Sequence, residues 1–257
     1  MTTEAVCPKC GGTGWIIVER ANVSGAEACD CRAQGRAERL EERAQIPPLY
    51  REASFETFSL PNDNPIGRRE LAGVLLTVKA YVREFDKNRT RPGLLLIGQP
   101  GIGKTHLAVA AFREIIAKGH EGWFCTYQSL LNSIHSGYDP ISNSSDREAY
   151  RTALDTDVLL LDDLAANRAS DWVEDTINSI ITYRCDNKKV LIATTNAPDP
   201  DAGSVVIQKN KVLDKYEYAR TLEYYIGTRA RSRLFEMCTV IKMPLIADYR
   251  VQKGKIF

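Results

Sequence analysis

The residues of this chain best suited to chemistry form one short segment, Gly98 to Thr105, with the sequence GQPGIGKT. It satisfies the pattern G-x-x-x-x-G-K-[ST], in which backbone N–H groups close around the phosphates of a nucleoside triphosphate. Lys104 is expected to reach the β- and γ-phosphates, and Thr105 to ligate Mg²⁺. A chance glycine-rich turn is the alternative. The pattern predicts an ATP site formed by Gly98, Pro100, Gly101, Ile102, Gly103, Lys104, Thr105 and His106.

Two aspartates farther along the chain are a second candidate element. The apolar run Val158–Leu161 has the composition of a buried strand, and Asp162 and Asp163 follow at its C-terminal end. Downstream of a phosphate-binding loop this is typical of a Walker B element, in which Asp162 holds Mg²⁺ and Asp163 polarises the attacking water. Glutamate is the usual residue at the second position, so slow hydrolysis is expected. Two surface aspartates at a turn are the alternative.

Four of the seven cysteines are grouped near the N-terminus, as Cys7-x-x-Cys10 and Cys29-x-Cys31. Two short chelating pairs can supply a tetrahedral four-thiolate zinc site, and Pro8 and the following glycines favour the tight turns that aim the sulfurs inward. Unpaired surface thiols or a redox dithiol are the alternatives. The spacing predicts a small zinc-binding module.

Three polar residues lie where they could contribute to a phosphate site. Asn196 ends the apolar run that starts at Lys189, so it could sense the γ-phosphate or the attacking water, although a turn-forming Asn is the alternative. Arg229 and Arg233 are four residues apart, which places them on one helix face from which they could reach a neighbouring subunit's phosphates. A solvated basic helix is the competing interpretation.

Alternating apolar strands and helices must position these residues. Five-residue apolar runs at Gly93–Ile97 and Gly122–Thr126 predict strands, and helix formers without interruption follow the phosphate loop. The alternation predicts an α/β fold with a parallel sheet covered by helices on both faces. Further predicted elements are helices at Ala33–Gln45, Arg68–Asn88, Gln128–His135 and Asp171–Tyr183, strands at Val158–Asp163 and Lys189–Thr194, and a polar loop at Pro140–Asp146.

Composition limits the classes of function. The 257 residues suit one nucleotide-binding domain plus a small appendage, predicted here as a cysteine module (1–33), a linker helix (34–45) and an ATPase domain (46–257). No apolar stretch or leader pattern indicates a membrane protein, so a cytoplasmic location is expected. Net charge is +1, but residues 204–257 hold 11 Lys+Arg against 5 Asp+Glu. Any nucleic-acid contact must therefore be local.

From Ile46 onward the chain resembles the DnaC/DnaI-type replicative helicase loaders of the AAA+ class, which are related to the IstB-type transposition ATPases. The residues that carry this resemblance are Ile46–Arg51 with Phe55 and Phe58, Gly98–Leu107, Leu159–Leu164, Thr194–Asn196, Ser232–Leu234 and Asp248–Arg250. An N-terminal cysteine module is also similar to loaders, whereas IstB-type proteins typically lack one. Two departures are Asp163 in place of glutamate and a segment, Pro198–Ile226, that is longer than its counterpart.

The resemblance implies roles for further residues. It makes Asn196 a sensor, Arg233 an arginine finger with Arg229 beside it, and Arg250 a second sensor. By order and spacing, Tyr138, Ser170 and Trp172 match positions where loaders contact single-stranded DNA.

The resemblance also implies a reaction and partners. The expected function is ATP-dependent loading of a hexameric replicative helicase onto single-stranded DNA, with Mg²⁺ and Zn²⁺ as cofactors and self-association through the ATPase domain. The alternatives are a transposition helper ATPase that binds duplex DNA, and a zinc-containing adaptor whose ATP site does not turn over.

Overall fold

The central feature of the fold is a five-stranded parallel sheet. The structure is a computed structural model that describes residues 7–20, 23–87, 93–136, 145–166, 170–210 and 215–253. The sheet has the strand order β4-β5-β6-β3-β9. Its strands are β3 (Gly93–Ile97), β4 (Gly122–Thr126), β5 (Val158–Leu164), β6 (Val190–Thr195) and β9 (Cys238–Lys242). The predicted parallel α/β sheet is confirmed.

Helices cover both faces of this sheet, and the alternation of side chains along β3 shows why. Leu94 and Leu96 pack into one core with α1, α2 and α3, whereas Leu95 and Ile97 pack into a second core with α4, α6 and α7. Because both faces are covered, the central strands β3 and β6 are buried along their whole length. The helices are α1 (Asp30–Arg43), α2 (Pro65–Arg83), α3 (Lys104–Ala117), α4 (Tyr127–Ser136), α5 (Ser145–Asp155), α6 (Asp171–Asp186), α7 (Leu222–Met237) and α8 (Tyr249–Lys253).

Several helix boundaries differ from those predicted, for local reasons. Helix α2 starts at Pro65 rather than Arg68, because the Asn64 side chain caps it by accepting a 2.9 Å hydrogen bond from the Gly67 N–H. The prediction of a polar loop through Asp146 is wrong at its end, since α5 begins at Ser145. The rest of that loop lies outside the described residues.

The N-terminal part forms a hairpin followed by a helix that joins the main core. Strands β1 (Trp15–Arg20) and β2 (Val23–Ala28) pair antiparallel, and neither was predicted. Helix α1 starts at Asp30, inside the predicted cysteine module, and Leu40 and Ala44 beside its end are buried in the first core. A 2.6 Å ion pair from Arg113 to Glu41 adds to this contact. The predicted linker helix is therefore present, and its C-terminal end packs on the main core.

The long segment between β6 and α7 contains a small hairpin. Strands β7 (Ile207–Asn210) and β8 (Lys215–Tyr218) pair antiparallel apart from the main sheet. Elsewhere in the chain, a short 3₁₀ helix, Pro48–Tyr50, lies between α1 and α2. Among the helices in the described ranges, none is both long and apolar enough to cross a bilayer.

Candidate nucleotide and metal sites

The phosphate loop joins β3 to α3 in the geometry that its sequence predicts. Gly101 and Gly103 have positive φ angles of 73° and 91°, in the region that favours glycine. A Cβ atom on Gly103 would lie 2.6 Å from the Phe58 ring, and one on Gly101 would lie 1.9 Å from Oδ1 of Asp248. The loop ends at the N-terminus of α3, where backbone N–H groups and the helix dipole favour an anion. These features fit a triphosphate.

Thr105 and Asp162 form a group of oxygen atoms that fits Mg²⁺. The Thr105 hydroxyl donates a 2.9 Å hydrogen bond to Oδ1 of Asp162, and the Thr194 hydroxyl donates one of 2.6 Å to the same atom. Burial raises the pKa of the Asp162 carboxyl, and the two hydroxyl hydrogen bonds oppose that shift. A hydroxyl and a carboxylate are hard oxygen ligands of the kind that Mg²⁺ prefers.

Lys104 is held between the loop and the end of β6. Its Nζ atom donates hydrogen bonds of 2.7 Å to the Gln99 carbonyl and 2.6 Å to Oδ1 of Asn196. Burial lowers the pKa of Lys104 to about 8, although the carboxylates of Asp163 and Asp162 raise it. Anionic phosphates at this point would favour the charged ammonium.

Asp163 and Asn196 lie at the same end of the sheet. Asp163 is exposed, with a positive φ of 55°, and its backbone N–H donates a 3.0 Å hydrogen bond to the Thr194 hydroxyl. The Asn196 amide nitrogen donates a 3.4 Å hydrogen bond to Oδ1 of Asp163. Asp163, Asn196 and Lys104 thus form one connected polar group at the phosphate loop.

Two further segments close around this loop. In the first, Nε2 of His106 donates a 2.8 Å hydrogen bond to the Ser54 carbonyl, and its ring packs edge-on against Phe58. In the second, the Tyr249 N–H donates a 3.0 Å hydrogen bond to the Gly101 carbonyl. The adjacent Arg250 is exposed, and its charge contributes to lowering the pKa of Lys104. Arg250 therefore lies on the side of the domain that carries the phosphate loop.

Arg229 and Arg233 lie on α7. The helix is broken at Gly227, which has φ 78° and ψ 159°, so both arginines belong to its second half. Arg229 is exposed, and Arg233 is partly exposed. Arg233 donates a 2.9 Å hydrogen bond to Glu236 and lies 3.8 Å from a carboxylate oxygen of Asp186.

The four N-terminal cysteines come together in space. Their sulfurs all lie within 4.8 Å of one another; the Cys7–Cys29 and Cys10–Cys31 pairs are 3.8 Å and 3.5 Å apart. A tetrahedral zinc site with Zn–S bonds of about 2.3 Å needs sulfurs about 3.8 Å apart. The Gly14 N–H also donates a 3.3 Å hydrogen bond to the Cys10 sulfur. The residues present fit a four-thiolate metal site.

The three residues predicted to contact DNA are only partly described. Tyr138 lies outside the described residues. The Ser170 hydroxyl caps α6 by accepting a 3.4 Å hydrogen bond from the Val173 N–H, and the Ser170 residue is exposed. Trp172 is half-buried, packs on the second core, and contacts His135 edge-on with ring centroids 5.2 Å apart.

Two contacts of the site area were not predicted from the sequence. Thr194 is fully buried and donates to Asp162, a contact that a strand residue in an apolar run does not reveal. Arg231 forms an ion pair with Asp199 in the loop after β6, and no sequence motif distinguishes it from Arg229 and Arg233.

The chain is similar to a defined protein family and to several replication proteins. The family model described as IstB-like ATP binding protein matches residues 30–216. The replicative helicase loader DnaC of Buchnera aphidicola subsp. Schizaphis graminum is 28% identical over 152 residues, covering 59% of this chain and 58% of that protein. DnaC of Escherichia coli strain K12 is 25% identical over 160 residues, 62% of each chain. The match thus spans less than two thirds of either loader.

Solved structures show the same fold. The crystal structure of a DnaC helicase loader has a TM-score of 0.59 and 31% identity, and the match covers 77% of this chain and 100% of that one. The crystal structure of DnaI, at 20% identity and a TM-score of 0.54, covers 79% of this chain and 93% of that one.

Proposed function

Since the chain belongs to the family of IstB-like ATP binding proteins, we propose that it is an ATP-dependent loader of a hexameric replicative helicase onto single-stranded DNA. The observation that carries this proposal is the connected group of Lys104, Asn196 and Asp163 at the phosphate loop. A lysine that already contacts a sensor residue can report the presence of a γ-phosphate to β6. ATP is therefore used as a switch between two states of the loader.

The nucleotide site works through a small number of side chains. Lys104 would bind the β- and γ-phosphates, and Thr105 and Asp162 would hold Mg²⁺, which would neutralise charge that develops on the phosphates. Asp163 orients and polarises a water that attacks the γ-phosphorus. The bond from the γ-phosphorus to the bridging β-phosphate oxygen breaks, ADP and inorganic phosphate leave, and a proton of the water passes to solvent. The Asp163 side chain is shorter than the usual glutamate, so hydrolysis is slow.

The switch acts between subunits. Arg233 of one subunit, with Arg229 beside it, completes the ATP site of a neighbour, and Arg250 contacts the nucleotide of its own subunit. With ATP bound this favours an assembled state that is competent to bind DNA. Hydrolysis removes the γ-phosphate contacts and releases that state. Arg233 forms ion pairs with Glu236 and Asp186, and because both carboxylates are largely exposed, it can exchange them for another anion.

The N-terminal module is assigned to the partner helicase. We propose that Cys7, Cys10, Cys29 and Cys31 bind Zn²⁺ and hold the β1–β2 hairpin, and that this module contacts the helicase. A hairpin of two six-residue strands has too little core to be stable alone, so a metal supplies the missing stability. The protein acts in the cytoplasm, where replicative helicases work.

Single-stranded DNA is assigned to the edge of the sheet near α6. Tyr138 and Trp172 stack on bases, and the Ser170 hydroxyl donates to a phosphate. Aromatic stacking does not depend on base identity, so this arrangement suits a DNA strand of any sequence. Trp172 already packs against His135, so only its remaining exposed surface is available to a base.

Two other functions remain to be separated from this one. The first is a transposition helper ATPase that binds duplex DNA, which the similarity to IstB-like ATP binding proteins suggests. A zinc-containing adaptor that binds ATP without turnover is favoured by Asp163 in place of glutamate.

One set of binding experiments distinguishes the three. The tagged full-length chain, with ATP, is mixed with the hexameric replicative helicase of its own genome, with duplex DNA, or with neither. Helicase capture that requires the N-terminal cysteines supports the loader. Filaments on duplex DNA without helicase capture would favour the transposition helper, and retained binding with no ATP turnover would favour the adaptor.

A further inference from the structure

A buried ion pair joins the loop after β6 to the helix that carries Arg229 and Arg233. The Asp199 side chain is 0% exposed and that of Arg231 is 17% exposed. Arg231 donates through Nε to Oδ2 of Asp199 at 2.6 Å and through Nη2 to Oδ1 at 2.7 Å. This is a two-pronged contact with fixed geometry, and burial removes the solvent screening that weakens surface pairs.

The contact is reinforced on both sides. The Arg231 guanidinium lies over the Phe235 ring, 4.7 Å from its centroid, and also bonds the exposed Asp201. Asp199 is fixed by its own turn, because the Asp201 N–H donates to its Oδ1 at 3.0 Å and the Ser204 N–H donates to its carbonyl at 3.0 Å. Neither partner can move far without losing several contacts.

The position of Arg231 on α7 separates it from its arginine neighbours. Residues two apart on a helix differ by about 200° in direction. Arg231 therefore lies on the opposite side of the helix from both Arg229 and Arg233. When Arg231 is bound inward to Asp199, the other two arginines are directed away from that contact.

The Asp199–Arg231 pair holds the second half of α7 near its N-terminal end, in addition to the packing of Ala230 and Leu234 in the second core. Its C-terminal end is fixed, because it continues directly into β9, which pairs with β3. At its N-terminal end Gly227 has φ 78° and ψ 159°, so the helical hydrogen bonding is interrupted there. Arg231, which pairs with Asp199, lies four residues after this break in α7.

We infer that Arg231 is a positioning residue that, through Asp199, sets the direction of the arginine-bearing half of α7. Asp199 is three residues after Asn196, which contacts Lys104. The pair thus joins the loop after β6 to the helix whose arginine serves a neighbouring subunit. This inference rests on the proposed function, in which Arg233 acts in trans.

The test is a mixed-subunit ATPase assay with full-length chains. Acceptor subunits carry Arg233→Ala and keep Lys104; donor subunits carry Lys104→Ala and keep Arg233. The pair is changed by Asp199→Asn with Arg231→Gln, since this removes both charges together and leaves no buried charge unpaired. The change is placed either in the donor or in the acceptor. Circular dichroism reports folding, and cross-linking reports co-assembly.

The expected result is asymmetric. Unchanged donors restore turnover to the acceptors, and donors with the changed pair restore at least about tenfold less, because a misdirected arginine stabilises the transition state poorly. The changed pair in the acceptor alters the rescue by less than about twofold, since the acceptor's own arginine is already absent. Asp201→Asn in the donor, which keeps the buried pair, is the matched control and retains rescue.

Three outcomes would overturn the inference. Equal rescue by unchanged and changed donors would show that the pair does not position Arg233. If rescue is lost only when the changed pair is in the acceptor, the pair acts on the nucleotide site of the subunit that contains it. If unchanged donors and acceptors co-assemble without any rescue, Arg233 does not act in trans, and the proposed switch fails as well.

If the paired variant does not fold, Arg231→Lys in the donor, which keeps the charge but not the two-pronged contact, is expected to give an intermediate rescue, and full rescue would contradict the inference.

Discussion

The Nζ atom of Lys104 donates a 2.6 Å hydrogen bond to Oδ1 of Asn196, 92 residues later in the chain. This contact connects the phosphate loop to the end of β6. A γ-phosphate would compete with the Asn196 oxygen for the same ammonium group. Binding of ATP is therefore expected to move the loop after β6.

Removing the Lys104 ammonium should abolish the function of the site. In Lys104→Ala we expect no ATP turnover and at least about tenfold weaker nucleotide binding, because the loop's own cation on the terminal phosphates is lost. Phosphate release and the binding of a fluorescent ATP analogue measure the two effects. Lys87→Ala, an exposed lysine after α2, is the control. Wild-type turnover in Lys104→Ala would refute the assignment of the phosphate loop.

Asp163 should matter for hydrolysis but not for binding. Asp163→Asn keeps a polar side chain of the same size and removes the charge that polarises water, so turnover should fall by about tenfold or more with ATP affinity retained. Single-turnover hydrolysis measured beside equilibrium binding separates the two. Asp163→Glu, which keeps the charge, should retain turnover. If Asp163→Asn hydrolyses ATP normally, another group activates the water.

The cysteine cluster should hold zinc and order the N-terminal hairpin. Cys10→Ser is expected to lower the zinc content well below about one ion per chain, because it removes one of four thiolate ligands. Hydrogen exchange should then rise across β1 and β2 while the sheet remains protected. Cys185→Ser, on α6 away from the cluster, is the control for metal content. Absence of zinc from the freshly purified wild-type protein would remove the basis of this prediction.

The aromatic residues assigned to DNA can be tested separately. Tyr138→Ala with Trp172→Ala should lower affinity for single-stranded DNA by about tenfold or more and leave ATP binding intact, since each stacked base contributes about 1–3 kcal/mol. Fluorescence anisotropy with a labelled oligonucleotide measures the change. Tyr183→Ala, near the other end of α6, is the control. Unaltered affinity would shift attention to the basic residues of 204–257.

Much of the nucleotide site could be predicted from the sequence because its determinants are local. Strands β3 and β4 have the predicted bounds. β3 is buried along its whole length, and a strand buried on both faces is a continuous apolar run. The phosphate loop depends on glycines and a lysine within eight residues. Neighbouring parallel strands then bring Asp162 and Asn196 to the same edge.

Contacts between distant residues could not be predicted in this way. Arg231 and Asp199 are 32 residues apart, and neither belongs to a motif, so their pairing depends on how α7 packs. Strand β9 starts directly at the end of α7, where no loop residues mark a boundary. The β1–β2 hairpin is partly apolar on both faces, with Ile17 exposed, so its sequence lacks a clear alternation.

The most direct measurement of the proposed function is helicase loading onto closed circular single-stranded DNA, which has no free end to thread. The chain is incubated with ATP and the hexameric replicative helicase of its own genome, and helicase retained on the circles is counted after a high-salt wash. The loader account predicts retention that requires both the chain and ATP and is lost with Lys104→Ala. Equal retention without the chain, or no retention from a mixture in which the chain hydrolyses ATP and binds the circles, would contradict it.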